Sequence, residues 1–456
     1  MSETQTIQLR NGHDPQSDES PMPILPPISR KKQAAVLFSA FGSLALTIGY
    51  NQCFGIFQEY YLSDDQDVLI PSPASQSSPP TALLAFVGTL CYGLTWAGGI
   101  LVNPIIPRIE HGKWDATPST RLWRRRALRL LRPRTGFLAG MGMSLLYFPV
   151  LAPAPEYFTK HRATAMGFIL AGGGAGGLLL TFLLRALLTT LGGRWTLRVY
   201  ALLNLVLGLP IAYSVPPSRF SLSTSSHASI DHPRRNTHVS RALAVRSTFI
   251  LSSIAAFLQA AGAQLPLSFI PSYSVGLGLS ASKGANFLAA ANAINAVSRI
   301  FTGYIGDRVG RQNTLIITLL FAAVSVFTFW LGSILTFSPS HPSGSGQALW
   351  YAFIAFYSSS IGGYYGLFPA FIADVFGIRQ YAAVNAFVLF VRGLGTMFGS
   401  PVGGQLLGSH GGKGGAGIAE YERVVYWDGA LLMAATVCCV GVRWADAKGK
   451  GWRWVA

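Results

Sequence analysis

The sequence contains few charged residues. Asp, Glu, Lys and Arg make up 12% of its 456 residues, whereas soluble domains average about 25%. The charges also leave long gaps, since neither 81–103 nor 349–373 contains any of these four residue types. An uncharged apolar stretch of about 20 residues is long enough to cross a bilayer as a helix. A helix pairs its own backbone groups, as lipid requires, so the sequence predicts an α-helical membrane protein.

Acidic residues and cysteines are also scarce. The chain has 18 Asp and Glu against 35 Lys and Arg, which gives a formal net charge of +17. In a soluble protein this excess would suggest nucleic acid, but the basic residues lie mostly between apolar blocks, as in cytoplasmic loops. The cysteines are expected to be small buried side chains, not disulfides or metal ligands; they are Cys53, Cys91, Cys438 and Cys439. We therefore predict the lipid bilayer as a partner, and no nucleic acid.

Motifs typical of enzymes are missing as well. The glycine-rich run at 172–177 is not followed by the Gly-Lys-Ser/Thr of a phosphate-binding loop. The eight histidines are scattered and form no metal-ligand cluster with cysteine. Residues 1–29 are polar, acidic and Pro-rich, and they lack the apolar core of a signal peptide. The sequence predicts no enzyme activity, no cofactor and no metal site.

Apolar segments recur along the chain and predict an all-α polytopic membrane protein with two helix bundles. Eleven candidate spans are found at 33–57, 81–103, 136–155, 163–188, 195–215, 247–272, 281–306, 313–336, 349–373, 380–408 and 425–442. A basic, Ser-rich linker at 216–244 divides the chain into two halves. The predicted parts are a disordered cytoplasmic tail at 1–32, an N-terminal bundle at 33–215, a C-terminal bundle at 245–445 and a cytoplasmic tail at 446–456. Two bundles of six predict twelve spans.

The segment 104–134 stands where a further span is expected. It contains nine Lys or Arg, including Arg124, Arg125 and Arg126, and each arginine at the bilayer centre costs about 3 kcal/mol on insertion scales. If the amino terminus and the linker are both cytoplasmic, an even number of spans must separate them, but five are found. The segment is either a basic surface helix, or it stands where a spanning helix has been lost through a gene-model or splicing error. We favour the loss of a helix.

We expect the native transcript to encode an apolar span of about 20 residues in place of 104–134. In a chain that lacks this helix, Lys160, Arg162 and the basic central linker would face outside, which breaks the positive-inside rule at two places. Sequencing of cDNA across the region checks this. An unchanged Arg-rich segment in a well-expressed, active protein would show that the eleven-span chain is real.

A loop between two predicted spans reads Gly303-Tyr-Ile-Gly-Asp307-Arg308-Val-Gly310-Arg311. It resembles the Gly-x-x-x-Asp-Arg-x-Gly-Arg loop motif of the major facilitator superfamily. Gly303 would permit close helix approach, and Asp307 would cap or pair with a neighbouring helix end. Arg308 and Arg311 would anchor the cytoplasmic face. The resemblance implies two bundles that alternate access to a central site, with this loop as a gating latch between conformations.

Other short sequence segments resemble those of the monocarboxylate-porter branch of that superfamily, as found in fungi. They include Glu156-Tyr-Phe-Thr-Lys160-His-Arg162 and Arg392-Gly-Leu-Gly395. The resemblance covers most of 33–445 except 104–134. It implies a small organic anion, such as a monocarboxylate, as substrate, with symport of a proton as one mode of coupling.

Arg299 is the first candidate for substrate binding. An arginine inside a span is costly and is by default a pathway residue, and its guanidinium can hold a carboxylate with two hydrogen bonds. In the animal porters of the branch an Asp that takes part in proton coupling stands one turn before this arginine, but here the position is Asn295. Asn cannot release a proton, so we expect only weak dependence of uptake on the pH gradient. Steep dependence would require another group, with Glu156 the first to test.

Arg392, near the middle of the tenth recognisable span, is the second candidate anchor for an anion. The predicted substrate-binding set also includes Asn51, Gln264 and Tyr364, polar residues within apolar segments. Further polar residues that could line a cavity are Gln259, Tyr365 and Asn385. Each of these, taken singly, is also explained by an ordinary contact between helices.

These observations predict a secondary transporter of a small organic anion or related metabolite. The alternatives are a membrane sensor that no longer transports, and a non-functional product of a gene that lacks one helix. The plasma membrane is the expected location, with the vacuolar or another organelle membrane as the alternative.

Overall fold

The computed structural model describes residues 29–62, 81–102, 135–158, 161–215, 238–337, 344–407 and 417–451. These ranges contain helices, turns and short connections, and no strand. The prediction of an all-α fold is confirmed. The predicted segment 104–134, most of the amino-terminal tail and residues 216–237 of the linker lie outside the described residues.

The N-terminal half is built from helices of very different lengths. Its elements are α1 (Arg30–Gln52), α2 (Phe54–Leu62), α3 (Thr81–Ala97), α4 (Gly99–Val102), α5 (Thr135–Leu151) and α6 (Arg162–Tyr213). Residues 162–213 form two helices that meet at Gly192, whose φ of 74° and ψ of 173° are not helical. Glycine tolerates this positive φ because it has no Cβ. The break separates the two segments predicted at 163–188 and 195–215.

The C-terminal half contains the longest uninterrupted helices. Its elements are α7 (Arg241–Ala244), α8 (Ser247–Ala263), α9 (Leu265–Gly276), α10 (Ala281–Val309), α11 (Arg311–Ser325), α12 (Leu331–Leu335), α13 (Ser345–Phe376), α14 (Ile378–Leu406) and α15 (Tyr421–Lys450). A π-helical turn, Val326–Trp330, joins α11 to α12. A described helix overlaps each of the eleven predicted spans, and six described helical stretches are long and apolar enough to cross a membrane.

Large apolar side chains cover the outside of the described helices. Leu179, Phe301, Phe321 and Val437 are between 60% and 70% exposed. Such a surface would be unfavourable in water, because burial of apolar area is the main driving force of folding in soluble proteins. In a bilayer these side chains face lipid tails.

The two halves meet chiefly along two helix pairs, α6 with α10 and α3 with α14, and α13 also contacts α6. Glycines allow the backbones to approach closely, as small residues do in membrane helix packing. A Cβ at Gly167 of α6 would lie 2.3 Å from the carbonyl oxygen of Arg299 on α10. A Cβ at Gly393 of α14 would lie 2.5 Å from the carbonyl oxygen of Gly93 on α3. These contacts place α10 and α14, which carry the two arginines, at the interface between the halves.

Candidate functional site

Arg299 on α10 is almost fully buried, with 3% of its surface exposed. Its Nε donates a hydrogen bond of 2.8 Å to Oδ1 of Asn295, one turn earlier on the same helix. Its Nη1 donates to the carbonyl oxygen of Leu170 on α6, in the other half of the protein. The guanidinium therefore bridges the two halves, and no carboxylate among the described residues pairs with it.

Arg392 on α14 is equally buried, at 3% exposed, and is surrounded by aromatic rings. Its Cζ lies 4.6 Å from the ring centre of Tyr365 and 5.4 Å from that of Trp96. Cations attract the negative faces of aromatic rings at such distances. Its Nε has no hydrogen-bond partner among the described residues. The rings stabilise the charge, but at least one strong donor of the guanidinium is left unused.

Tyr365 of α13 lies between the two arginines. Its ring centre is 5.3 Å from Cζ of Arg299 and 4.6 Å from Cζ of Arg392. Both guanidiniums open into one narrow cavity, which we name the two-arginine cavity. Its lining residues come from both halves and are Ile48, Tyr92, Trp96, Tyr147, Leu170, Arg299, Tyr365, Phe368, Pro369, Asn385, Leu389 and Arg392. The cavity thus combines two positive charges with aromatic walls.

The loop motif lies at one end of the contact between α6 and α10. Asp307 accepts hydrogen bonds from the backbone N–H of Thr164 at 2.9 Å, from its hydroxyl at 2.7 Å and from the N–H of Ala163 at 3.2 Å. These groups belong to the first turn of α6, where free N–H groups and the helix dipole favour a negative charge. Asp307 therefore connects the C-terminal half to the start of a helix in the N-terminal half.

Arg311 extends this cluster to a third helix. It donates to Asp307 at 2.8 Å and to both carboxylate oxygens of Asp374, at the end of α13, at 2.7 and 2.9 Å. Arg162 of α6 also lies 3.5 Å from Asp374. We call Arg162, Thr164, Asp307, Arg311 and Asp374 the latch. Its charged hydrogen bonds are partly shielded from water, which makes them stronger than exposed ion pairs.

The rest of the motif shapes the backbone around the latch. A Cβ at Gly303 would lie 2.6 Å from the carbonyl oxygen of Ala163, so a larger residue would separate α10 from α6. Gly310 joins α10 to α11 with a φ of 112°, a conformation that favours glycine. Arg308 instead points away and stacks on Tyr304, with its Cζ 4.4 Å from the ring centre.

Residues 135–400, more than half of the chain, match the family model described as Major Facilitator Superfamily. The chain belongs to the major facilitator superfamily. It is 29% identical over 312 residues to an MFS-type transporter of Gibberella moniliformis, covering 68% of this chain and 69% of the relative. It is 25% identical over 428 residues to the aspyridones efflux protein of Emericella nidulans, covering 91% and 78% of the two chains.

The fold agrees with this assignment. A double-tryptophan mutant of XylE aligns with a TM-score of 0.63 at 15% identity, over 90% of this chain and 95% of that one. At this identity the likeness concerns the fold alone. Membership in the superfamily makes the protein an integral, multi-pass membrane transporter of small molecules and not an enzyme.

The structure of this major facilitator brings four of the six predicted substrate-binding residues together. Arg299 and Arg392 line the two-arginine cavity, Asn295 bonds Arg299, and the ring centre of Tyr364 lies 5.8 Å from Cζ of Arg392. Asn51 and Gln264 lie elsewhere, in an adjoining cavity that shares only Tyr92 with the first. Asn51 donates to the hydroxyl of Thr95 at 3.1 Å. Their roles in binding remain predictions.

Two kinds of residue were missed by sequence reasoning. Tyr92, Trp96 and Tyr147 supply the aromatic wall from the N-terminal half, but aromatic residues are common in apolar spans and nothing in the sequence singles these out. Asp428 is a buried acid on α15. It lies inside the predicted span 425–442, and an acid within a span is costly and typical of a functional site, so the sequence does contain a signal for it.

Proposed function

We propose that this major facilitator transports a small organic anion with an aromatic or conjugated body, and that the anion binds between Arg299 and Arg392. The observation that supports this most is the pair of buried guanidiniums in one cavity, with no carboxylate partner among the described residues. Two like charges without a partner are unfavourable in a medium of low dielectric constant. A bound carboxylate would offset this cost.

The shape of the charged groups favours a carboxylate over a diffuse anion. Each guanidinium is planar and can present two parallel N–H groups to the two oxygens of a carboxylate. Arg299 already uses Nε and Nη1 to hold its position, and Arg392 has an unused Nε. Arg392 is thus free to make new hydrogen bonds, while Arg299 is held in place to receive the ligand.

The walls of the cavity favour a flat, unsaturated substrate. Trp96, Tyr147, Tyr365 and Phe368 line the space next to the guanidiniums. Aromatic rings pack well against other rings in offset or edge-to-face geometry. A plain aliphatic monocarboxylate would satisfy the charges but leave this surface with fewer contacts.

Export is the direction that we propose. A relative that aligns with 91% of this chain is named an efflux protein for aspyridones, which supports outward transport of a metabolite in preference to nutrient uptake. The latch would close the cytoplasmic side when the binding site is directed outward, because its motif carries the basic residues expected on that face. Rocking of the two halves about the cavity would then open it to the other side.

Transport of a panel of labelled acids into and out of proteoliposomes tests this proposal. Aromatic carboxylates are expected to be carried faster than aliphatic ones of similar size, and uncharged aromatic analogues not at all. Trp96→Leu is expected to slow the aromatic acids about threefold to tenfold, since loss of an aromatic pair costs about 0.5–1.5 kcal/mol, and to affect aliphatic acids less.

The matched control is Trp444→Leu, because Trp444 is 66% exposed on α15 and far from the cavity in sequence. It is expected to leave the panel unchanged. Equal rates for charged and uncharged analogues would contradict the proposal. Tight binding of an acid without any transport would favour a sensor.

A further inference from the structure

Asp428 on α15 is buried, and the described residues offer it no partner. None of its surface is exposed, and neither carboxylate oxygen has a hydrogen-bond partner among the described residues. It stands seven residues after Tyr421, the first residue of α15, which places it roughly 10 Å along the helix. The other acids of the described helices lie at helix ends or in the latch. Asp428 is therefore an acid inside a span that neither the cavity nor the latch uses.

The neighbours of Asp428 are small or uncharged. A Cβ at Gly262 of α8 would lie 2.9 Å from Oδ1 of Asp428, so the carboxyl packs directly on the backbone of α8. Gln259 lies one turn earlier on the same face of α8. It is fully buried, and both of its amide atoms lack partners among the described residues. Two facing helices thus carry polar groups that this conformation does not pair.

Among the residues that the structure describes, no cation is placed to neutralise the carboxyl. The helix α8 contains no titratable residue, and neither does 312–335, which forms most of α11, the π-helical turn and α12. From α13, Tyr357 lies within electrostatic range and donates its hydroxyl to the carbonyl of Ala263 at 3.1 Å. On α14, Arg392 is held among aromatic rings and makes no ion pair with Asp428 in the described structure.

The remaining charged and titratable groups of these helices lie away from the carboxyl along their axes. On α15 and the turn before it, Asp428 is preceded by Glu420, Tyr421, Glu422, Arg423 and Tyr426 and followed, ten or more residues on, by Cys438, Cys439, Arg443, Asp446 and Lys448. The corresponding charged and titratable groups on α11 and α14 lie near the starts of these helices and are Arg311, Arg379 and Tyr381. None of them is hydrogen-bonded to Asp428.

An ionised carboxylate without a partner is too costly to keep in such a place, and buried acids of this kind become neutral by taking up a proton. We propose that Asp428 is the proton-binding site of this transporter, and that it exchanges its proton when α8 and α15 rearrange between conformations. This inference rests on the proposed transport function and adds its coupling ion. It replaces Glu156, which lies in a short 3₁₀ turn after α5, as the residue to test, and it replaces the expectation of weak pH dependence that was based on Asn295.

The conformation suggests a direction for the proton. The latch is closed while Asp428 is sealed from water, and in the proposed cycle the proton enters from the side opposite the latch. Opening of the latch would then let water reach the carboxyl from the cytoplasm and release the proton there. Inward flow of protons could drive outward movement of the anion, which is antiport and not the symport that the sequence resemblance implies.

Asp428→Asn tests this, because the amide is nearly the same size and permanently uncharged. In proteoliposomes loaded with an aromatic carboxylate, such as salicylate, a pH gradient that is acidic outside is expected to stimulate efflux by the wild type. The variant is expected to lose this stimulation while it still exchanges labelled for unlabelled salicylate. Asp446→Asn is the matched control on the same helix. Asp446 lies near the cytoplasmic end, where it accepts a hydrogen bond of 2.8 Å from Gln312. The Asp446→Asn variant is expected to respond to pH as the wild type does.

Infrared spectroscopy provides a test that does not depend on the substrate. The wild type is expected to show a band from a buried protonated carboxyl that shifts on deuteration and is missing in Asp428→Asn, with size-exclusion chromatography to verify that both are folded. Absence of this difference, or equal stimulation by pH in the two proteins, would overturn the inference. Failure of wild-type protein to carry any aromatic acid, with the band present, would instead refute the proposed substrate alone.

Discussion

Arg299→Gln is expected to lower transport about tenfold to hundredfold, because hydrogen bonds to charged groups are worth about 1.5–3 kcal/mol. The guanidinium bonds Asn295 and reaches the carbonyl of Leu170 across the interface between the halves. Gln removes the positive charge, and its shorter side chain cannot make both contacts. The initial rate of carboxylate exchange in proteoliposomes measures the effect.

Two further variants make this test specific. Arg185→Gln removes an arginine of α6 that is exposed on the outside of the bundle, and we expect it to leave exchange unchanged. Arg299→Lys keeps the charge without the planar fork and should fall between the two. Exchange at the wild-type rate by a folded, membrane-inserted Arg299→Gln protein would show that the charge is not needed.

Asp307→Asn is expected to shift the protein toward the conformation with an open latch. Asn retains an acceptor for the N–H groups of Ala163 and Thr164, but it loses the charge that pairs with Arg311. Since a charge-assisted hydrogen bond is worth about 1.5–3 kcal/mol, the ratio of closed to open molecules should fall about tenfold to hundredfold. Net transport should fall because the cycle needs the closed state as well as the open one.

Distances between spin labels at His161 and Val309 report this shift. Both positions are exposed, and they belong to different halves, just before α6 and at the end of α10. Longer distances are expected in Asp307→Asn than in the wild type. Arg308→Gln is the control in the same loop, because Arg308 stacks on Tyr304 and takes no part in the latch. An unchanged distribution in Asp307→Asn would mean that the latch does not hold the two halves together.

The sequence by itself determined the class of protein and the positions of its helices. Uncharged apolar runs mark the spans because lipid requires the same local property along every helix that crosses it. The pair of glycines at Gly192 and Gly193 separates two predicted spans, and the backbone breaks there in the structure. Gly303 to Arg311 indicates the superfamily because its residues are close together in the chain. The segment 104–134 lies outside the described residues, so the loss of a helix there remains a prediction.

The sequence could single out the two arginines but not what surrounds them. A charge inside an apolar span stands out locally, whereas its partners depend on which helix faces lie against each other. Arg392 meets Trp96, nearly three hundred residues earlier in the chain, and Arg299 meets Leu170 across the two halves. Aromatic and backbone groups of this kind occur throughout a membrane protein, so only packing distinguishes those that line a cavity.

The latch and the unpaired acid were likewise decided by the tertiary structure. Asp307 lies at the first turn of α6, and Arg311 pairs with Asp374, through contacts between residues that are 63 to 144 positions apart. Asp428 differs from these two acids in its surroundings, because the backbone at Gly262 packs against it and no described residue donates a hydrogen bond to it. The packed helices decide which groups surround each carboxylate, and these groups determine whether it belongs to the latch or can bind a proton. The periodicity of one helical segment does not contain that information.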